Sequence, residues 1–424
     1  MVVDLGQVER NWAGNYSYGA GAIHAPNTVE ELRSRVAGAT RIRALGSRHS
    51  FNALADSSGV LVSLSSLATE IAIDGPELSV TVSAGTKYGV LAAELARQGF
   101  ALHNLASLPH ISLAGAIATG THGSGDGNGN LATAVLALDF VDANGEIRHV
   151  SRAHTPDFAG YVVGLGALGI LTRVTLRIEP SFTVAQHVYT GLPWDAVLSH
   201  FDEVTADAYS VSMFTDWRGD RLGQLWFKQR MGDGRRGGFP PSYRGGAAAV
   251  TGLHPLPGVS AANCTLQLGV PGSWSERLAH FRMDFTPSSG DEIQSEYLLP
   301  REHAVAAIMA LRAMSPVISP LLQVSEIRTI AADDLWLSPS YGRESIGLHF
   351  TWVLDQPAVD AVLPLVEEAL APFQARPHWG KAFAMDAADL AARYPKFEAF
   401  KALAKTVDPA GKFRNDFLAR KVFG

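Results

Sequence analysis

Apolar residues at helical spacing mark two helices in the first hundred residues. The stretch 27–38, NTVEELRSRVAG, predicts a helix that Thr28 caps. Glu31 follows at the capping-box position, and Gly38 ends the pattern. The stretch 87–99, KYGVLAAELARQG, predicts a second amphipathic helix that ends at its terminal glycine. Both helices lie close to predicted strands.

Alternating apolar positions predict several short strands in the same region. RIRAL is one, and LSVTVSAG places Leu78, Val80 and Val82 on one face. AVLALDFVDANGEIRHV predicts two strands joined by a turn at Asn144-Gly145, which is a strong hairpin signal. Helices and strands do not alternate in a regular repeat. We therefore expect an α+β fold rather than a doubly wound sheet.

The pattern changes near RIEPSF, residues 177–182. Beyond it, PREHAVAAIMALRAM predicts a helix that starts after Pro300, and QVSEIRTI and GLHFTWVLD predict strands. The Gly-, Arg- and Pro-rich stretch 230–252 predicts a surface loop. The stretch YPKFEAFKALAKTV predicts a last helix before the turn DPAGKF. A chain of 424 residues suggests more than one domain. We divide it into residues 1–178, 179–380 and 381–424.

Two predicted strands in the second half each carry a pair of polar residues. Alternation places Glu326 and Arg328 on one face of SEIRTI, and His349 and Thr351 on one face of HFTW. The opposite faces are apolar. Either strand could belong to a half-solvated sheet. Alternatively, the polar faces could line a pocket for a ligand with many hydroxyl groups, each of which needs a donor or acceptor once it is desolvated.

A glycine motif at Gly164–Gly169, GLGALG, matches the dinucleotide-binding pattern G-x-G-x-x-G. That motif binds pyrophosphate only when it opens a helix. Here ILTRVTLRI follows, and its β-branched alternation predicts a strand. The sequence therefore argues against a Rossmann domain.

Two other segments carry candidate chemistry. His49 follows the glycine turn Gly46-Ser47, where the backbone can approach a ligand closely; it could also simply end a loop. The stretch 105–130 is rich in Gly, Ser and Thr, and its exposed N–H groups and hydroxyls suit a pyrophosphate. The same stretch carries Ile111 and Ile117, which a flexible linker would avoid.

Composition excludes several classes of protein. The chain is 47% hydrophobic and 18% charged, with a formal net charge of −6, so nucleic acid is not the expected partner. The single cysteine excludes an internal disulfide and a zinc–cysteine site, and we predict no metal. The N-terminus has no secretory pattern, and no apolar run reaches the ~20 residues that span a bilayer. We expect a cytoplasmic protein with no membrane partner.

The motifs GSRHSF, SLPHISLAGAIATGTHGSG and GLGALGILTRVTL, in this order, resemble the FAD-binding domain of vanillyl-alcohol oxidase-type flavoproteins. In the second half QSEYLLPREHA, SEIRTI, HFTW, RPHWGKAF and DPAGKFRNDF resemble the alditol oxidase (xylitol oxidase) family of that type. The resemblance covers essentially the whole chain. It implies an FAD-binding domain at 1–178, a substrate domain on an antiparallel sheet flanked by helices at 179–380, and a C-terminal segment that completes the site and packs back on the FAD domain.

The resemblance also implies how the cofactor is held. The histidine of the first motif often carries FAD through the flavin 8-methyl carbon, so His49 is the expected covalent link. Family members with two links add a cysteine near Ser107, so a single link is expected here. The implied cofactor-binding residues are Gly46, Ser47, Arg48, His49, Ser50, Ser107, Ser112, Gly115, Thr119, Gly120, His122, Gly123, Gly169 and Ile170.

The activity implied by the resemblance is oxidation of the terminal primary alcohol of xylitol, sorbitol and related polyols to the aldose. Molecular oxygen is reduced to hydrogen peroxide, and the enzyme is expected to be a monomer. Arg328 and Lys381 are the expected catalytic residues, because their charges would stabilise developing alkoxide character. Lys381 could act as a base only if it were neutral. The implied substrate-binding residues are Ser107, Glu326, Arg328, His349, Thr351 and Lys381.

Two alternatives stay open at this point. One is an aldonolactone oxidase or dehydrogenase of the same superfamily, where the Glu-x-Arg pair also occurs. The other is a flavin-carrying binding protein without turnover. Ala106 bears on the first alternative, because related lactone-oxidising flavoproteins that react with oxygen are associated with glycine near this position, while alanine occurs in some dehydrogenases.

Overall fold

The computed structural model describes residues 2–3, 9–232, 234, 239–285 and 291–424. A small four-stranded sheet lies at the N-terminal end of the fold. The strand Val60–Ser63 pairs in parallel with Ala22–His24 on one side and with Ile42–Leu45 on the other, while Val2–Val3 pairs antiparallel with Ala22–His24. In spatial order the sheet consists of Val2–Val3, Ala22–His24, Val60–Ser63 and Ile42–Leu45.

A five-stranded antiparallel sheet follows, and it contains the predicted hairpin. The strand Ile170–Arg177 lies at its centre, directly after GLGALG, so the argument against a Rossmann motif is confirmed. Val80 and Val82 are buried as predicted, but Leu78 lies in the preceding turn at a φ of 47°. In spatial order the strands are Ile71–Asp74, Ser79–Ser83, Ile170–Arg177, Val135–Val141 and Ile147–Ser151.

The helices of the first part match the sequence prediction closely. The helix Val29–Gly38 begins at Thr28, whose hydroxyl accepts from the Glu31 amide at 3.1 Å. The Glu31 carboxylate accepts from the amide of Asn27, one residue earlier than in a standard capping box. The other helical segments before residue 180 are Ala53–Ala55, Tyr88–Arg97, Leu113–Thr119, Leu131–Ala134 and Phe158–Val162.

A large sheet dominates the second half, and its strands pair antiparallel throughout the described residues. This confirms the expected α+β fold. Part of the Gly-rich stretch 230–252 lies outside the described residues. Its remainder is not only a loop, because it adds two short edge strands. In spatial order the strands are Ser242–Tyr243, Gly246–Ala248, Thr183–Pro193, Arg221–Arg230, Ser210–Thr215, Leu322–Ile330, Ser345–Val353, Glu292–Pro300 and Arg376–Pro377, with Gly272–Ser273 paired to Thr183–Pro193.

Helices flank this sheet. Two strands of two residues each, Phe100–Ala101 and Glu179–Pro180, pair antiparallel and connect the two halves of the chain. The helix predicted after Pro300 starts as a 3₁₀ turn. No helix in the described part of the chain is long and apolar enough to cross a bilayer. The helical segments between residues 180 and 380 are Trp194–Leu198, Phe201–Ala206, Ala261–Asn263, Trp274–Glu276, Arg301–His303, Ala304–Ala313, Ser315–Ile318, Gln356–Leu370 and Ala371–Phe373.

The C-terminal segment returns to the first sheet. The Ile42 amide donates to the Lys412 carbonyl at 3.1 Å. The Asn415 side-chain amide contacts the carbonyls of Ala53, Leu54 and Asp56 at 2.8–3.2 Å. The chain therefore closes on its own N-terminal part, while the domain limits at 178 and 380 stay predictions. The segments here are Ala387–Arg393, Phe397–Val407, Asp416–Leu418 and Ala419–Phe423.

Candidate active site

One cavity is lined by both halves of the molecule. Its wall comprises the glycine turn after the strand Ile42–Leu45, the small-residue stretch 105–130, and the floor formed by the large sheet. The fold thus brings together segments that are hundreds of residues apart. Of the expected site residues, those that line the cavity are Gly46, Ser47, Arg48, His49, Ser50, Ser107, Ser112, Gly115, Thr119, His122, Gly169, Glu326, Arg328, His349, Thr351 and Lys381.

The glycine turn lies against the start of the helix Leu113–Thr119. A Cβ on Gly46 would be 2.7 Å from the Ser112 hydroxyl oxygen, so no side chain fits there without displacing Ser112. The Ser112 amide donates to the Ser47 hydroxyl at 3.2 Å. The Ser112 hydroxyl itself is buried and has no hydrogen-bond partner among the described residues. A buried hydroxyl without a partner suits an anionic or polar ligand in the cavity.

His49 stacks on Trp12, with ring centroids 4.8 Å apart. Its Nδ1 lies 3.0 Å from the Ser47 carbonyl oxygen, so Nδ1–H donates and Nε2 carries the lone pair. Within the described chain, Nε2 is buried without a partner. Burial lowers the pKa of His49 to about 4. The imidazole is therefore neutral near pH 7 and keeps one unpaired nitrogen in the cavity wall.

Three of the expected cofactor residues are not among those that line the cavity. Gly120 ends the helix Leu113–Thr119 in the left-handed conformation, with a φ of 66°. Gly123 lies so close to the Leu105 carbonyl oxygen that a Cβ would be 2.4 Å from it. Ile170 is buried in the centre of the five-stranded sheet. These residues shape the surrounding backbone, and their contact with a cofactor stays a prediction.

The polar pairs on the two predicted strands lie side by side on the cavity floor. Glu326 and His349 are directly opposed in the register of the strands Leu322–Ile330 and Ser345–Val353. The two pairs are at most 8% exposed, so the interpretation as a half-solvated sheet is wrong. Buried polar groups need partners. The four residues are Glu326, Arg328, His349 and Thr351.

Glu296, which the sequence analysis missed, supplies the central partner. Its Oε1 lies 2.6 Å from Nη2 of Arg328, and its Oε2 lies 2.7 Å from Nζ of Lys381. The His122 Nε2 is 3.3 Å from Oε1. Glu296 alternates with Glu292 and Gln294 on one face of the strand Glu292–Pro300, and that alternation was the available signal.

The two acidic residues of the floor are held ionised by their neighbours. Burial alone would raise the pKa of Glu296, but Arg328, Lys381 and His122 together hold that pKa well below its usual range. Burial opposes ionisation of Glu326 as well, and the charge of Arg328 together with the contact from His280 outweighs it and lowers its pKa. The carboxylates in turn raise the pKa of Arg328 against burial. The floor is therefore a set of paired charges.

Lys381, His349 and Thr351 form a chain of hydrogen bonds. Nζ of Lys381 lies 2.7 Å from Nδ1 of His349, whose Nε2 is 3.1 Å from the Thr351 hydroxyl. Burial and the Lys381 charge lower the pKa of His349 to about 4, so it accepts at Nδ1 and donates at Nε2. Thr351 then keeps its own hydrogen for another acceptor. Burial lowers the pKa of Lys381, and the negative charge of Glu296 opposes this shift.

Ser107 and His280 join the small-residue stretch 105–130 to the floor. The Ser107 hydroxyl lies 3.4 Å from Nη1 of Arg328. Its carbonyl accepts from the amides of His280 and Phe281, both at 3.1 Å. The His280 Nε2 is 2.7 Å from Oε1 of Glu326. His280 lies in an irregular segment with no periodic pattern, so the sequence offered no signal for it.

Comparisons with known proteins identify related families over both halves of the chain. A family model for an FAD binding domain matches residues 20–151, and one for D-arabinono-1,4-lactone oxidase matches residues 285–421. The chain is 48% identical over 411 residues to alditol oxidase from a Streptomyces species, covering 96% of this chain and 97% of that one. It is 30% identical to L-gulono-1,4-lactone dehydrogenase of Mycobacterium tuberculosis, covering 98% of each chain.

A solved structure, cholesterol oxidase from B. sterolicum, superposes with a TM-score of 0.78 at 15% identity, covering 100% of this chain and 97% of that one. At this identity the likeness shows the fold alone. Fold and sequence together define a two-domain FAD-dependent oxidoreductase. The chain belongs to the alditol oxidase family of vanillyl-alcohol oxidase-type flavoproteins.

Proposed function

We propose that the protein is an alditol oxidase: it oxidises the terminal primary alcohol of xylitol, sorbitol and related polyols to the aldose. Each turnover converts R–CH₂OH and O₂ into R–CHO and H₂O₂. The observation that carries the proposal is the buried, charge-paired floor in the same cavity as His49. The full-length similarity to a Streptomyces alditol oxidase supports it.

The floor suits a polyol because it offers both donors and acceptors at short spacing. Glu326 accepts, Arg328 donates, and Thr351 keeps a hydrogen to donate. Ser107 and His349 complete this set on either side. A desolvated hydroxyl that finds no partner costs about 1–3 kcal/mol, so such a floor favours a chain of hydroxyl groups over an apolar alcohol.

Arg328 and Lys381 are the proposed catalytic residues. When bound, FAD accepts the hydrogen from the alcohol carbon and passes electrons to oxygen. The two cations lie on either side of Glu296 and give the floor positive charge. This charge stabilises the alkoxide character that develops on the substrate oxygen. Lys381 donates to both a carboxylate and a neutral imidazole, which a neutral amine does less well. We therefore assign it an electrostatic role rather than that of a base.

The cofactor is proposed to be FAD joined covalently to His49. Its support is the neutral, buried imidazole with an unpaired nitrogen, beside the small-residue stretch whose Ser112 hydroxyl lacks a partner in the described chain. Acid-precipitated protein should stay yellow, and its band on a denaturing gel should fluoresce. His49→Ala should release the flavin on denaturation. Complete loss of flavin from the wild type in acid would refute the covalent link.

A lactone-oxidising enzyme is the second candidate, because a lactone oxidase family model covers the floor residues and a lactone dehydrogenase is 30% identical. Oxygen uptake with xylitol, sorbitol, glycerol and a galactonolactone separates the two. We expect the highest kcat/KM with a polyol. A clear preference for the lactone would replace the proposal, and bleaching of the flavin by any of these compounds without oxygen would exclude a carrier without turnover.

Three further properties belong to the same proposal. We infer a monomer, a cytoplasmic location, and domain limits after residues 178 and 380. Sedimentation of the purified holoenzyme tests the first, cell fractionation the second, and limited proteolysis near the two limits the third.

A further inference from the structure

Lys228 lies in the large sheet but does not line the cavity, and the proposed function gives it no role. It belongs to the strand Arg221–Arg230 and is 1% exposed. Its Nζ lies 2.8, 2.7 and 2.7 Å from three consecutive backbone carbonyl oxygens, those of Arg277, Leu278 and Ala279. All three hydrogens of an ammonium are therefore used.

This arrangement favours the charged form of the side chain. An ammonium has three N–H donors and matches three carbonyls, whereas a neutral amine has two donors and would leave one carbonyl facing a lone pair. Burial lowers the pKa of Lys228 to about 7, and the negative charge of Glu326 opposes this shift. A buried cation with complete hydrogen bonding fixes the backbone around it, because releasing that backbone leaves buried polar groups unpaired.

The fixed backbone leads directly into the active site. The residues after Ala279 are His280, which binds the Glu326 carboxylate, and Phe281, which shares the Ser107 carbonyl with the His280 amide. The His280 ring also packs edge-on against Phe214 and Trp226. Displacement of residues 277–279 would therefore move both a partner of Glu326 and the backbone of Ser107.

We propose that Lys228 is a positioning residue for substrate binding: its ammonium, held by three successive carbonyls, fixes the segment 277–281 so that His280 orients Glu326 and the segment's amides hold Ser107. This rests on the proposed polyol site. It acts directly on Glu326 and Ser107, and reaches the catalytic cation Arg328 only through them. Loss of Lys228 should therefore raise KM for the polyol more than it lowers kcat.

The test compares Lys228→Met with Lys412→Met in the flavin-loaded enzyme. Lys412 is the matched control, since its Nζ also binds backbone carbonyls, those of Val36 and Ala37, away from the cavity. We expect Lys228→Met to raise KM for xylitol roughly tenfold with kcat changed less than about threefold, and Lys412→Met to leave KM unchanged. Amide hydrogen exchange should quicken in residues 277–282 of the first variant only.

A milder variant covers the case in which Lys228→Met does not fold. The Thr265 hydroxyl donates to the Ala279 carbonyl at 2.8 Å, so Thr265→Val loosens the same segment, and it should raise KM about threefold. A loss of kcat at constant KM in the folded Lys228 variant, or in Thr265→Val, would overturn the inference. Wild-type enzyme that oxidises no polyol would instead refute the proposed function, while faster exchange in residues 277–282 would still report on Lys228.

Discussion

The residues of the floor work as a balanced set of charges. Glu296 lies between Arg328 and Lys381, and Glu326 lies 3.6 Å from Nε of Arg328. Two carboxylates and two cations share a water-poor pocket, so removal of any one leaves its neighbours uncompensated. Each of these side chains thus affects both the local structure and the field that the substrate meets.

Arg328→Ala should lower turnover strongly because it removes a positive charge directed at the reacting oxygen. Such a donor is typically worth ~3 kcal/mol, which corresponds to a loss of kcat of at least about a hundredfold. Steady-state kinetics with the best polyol measures this. Arg221→Ala is the matched control, since that exposed arginine of the same sheet donates to the Gly191 carbonyl. Near-normal turnover of Arg328→Ala would invalidate the assignment of the site.

A second prediction at the scale of single residues concerns Ala106 and the reaction of the reduced flavin with oxygen. Ala106 is buried and lines the cavity beside Ser107. Its methyl group narrows the space there, so Ala106→Gly should leave the rate of flavin reoxidation by oxygen equal or higher. Stopped-flow mixing of the reduced enzyme with oxygenated buffer measures that rate. A slower reaction in the glycine variant would show that the methyl group does not restrict oxygen.

The elements were predictable where the cause is local. The capping residues of Val29–Gly38, the Asn144-Gly145 hairpin and the alternation in Leu322–Ile330 are written in adjacent residues, and the structure contains all three. The register that opposes Glu326 to His349 depends on pairing between strands that are distant in sequence. No local pattern contains that pairing.

Glu296 illustrates the limit of the sequence, because its alternation with Glu292 and Gln294 indicates a shared face but no partners. No partner for this glutamate can be identified along the stretch EIQSEYLLP. Its role is visible only in the folded structure, where the strand Ser345–Val353 pairs beside it and Lys381 binds its carboxylate. His280 shows the same limit, because an irregular segment carries no periodicity. Residues within recognisable motifs, such as His49 and Arg328, could be selected, while the residues that connect them could not.

A half-buried histidine of the large sheet provides a prediction of how the fold responds to acid. His187, on the strand Thr183–Pro193, stacks on Phe239 with the ring centroids 3.6 Å apart. Burial lowers the pKa of His187 from 6.5 to about 4. Between those values the unfolded chain binds a proton that the folded chain does not. The free energy of unfolding should therefore fall as pH is lowered from about 6.5 to 4.

His187→Gln should reduce that dependence by about one proton, measured from denaturant unfolding across this pH range. Gln keeps a polar side chain of similar size at the site. An unchanged slope in the variant would mean that the histidine titrates normally in the folded state.

At the scale of the whole molecule, the site exists only because three parts of the chain converge. The N-terminal part contributes the turn at His49, the large sheet contributes the floor, and the C-terminal segment contributes Lys381. The same segment then closes on the N-terminal part of the chain through Lys412 and Asn415. Resemblance of motifs along the chain predicted that these parts meet, whereas their distances required the folded structure.

The proposed function requires that a polyol reduce the flavin of this protein and that oxygen reoxidise it. The direct measurement is to mix the holoenzyme with xylitol without oxygen, then admit oxygenated buffer and follow the flavin absorbance and the peroxide formed. We expect rapid bleaching, recovery at least as fast as steady-state turnover, and one hydrogen peroxide per aldose. No bleaching by any polyol, or recovery far slower than turnover with an artificial electron acceptor, would contradict the proposed function.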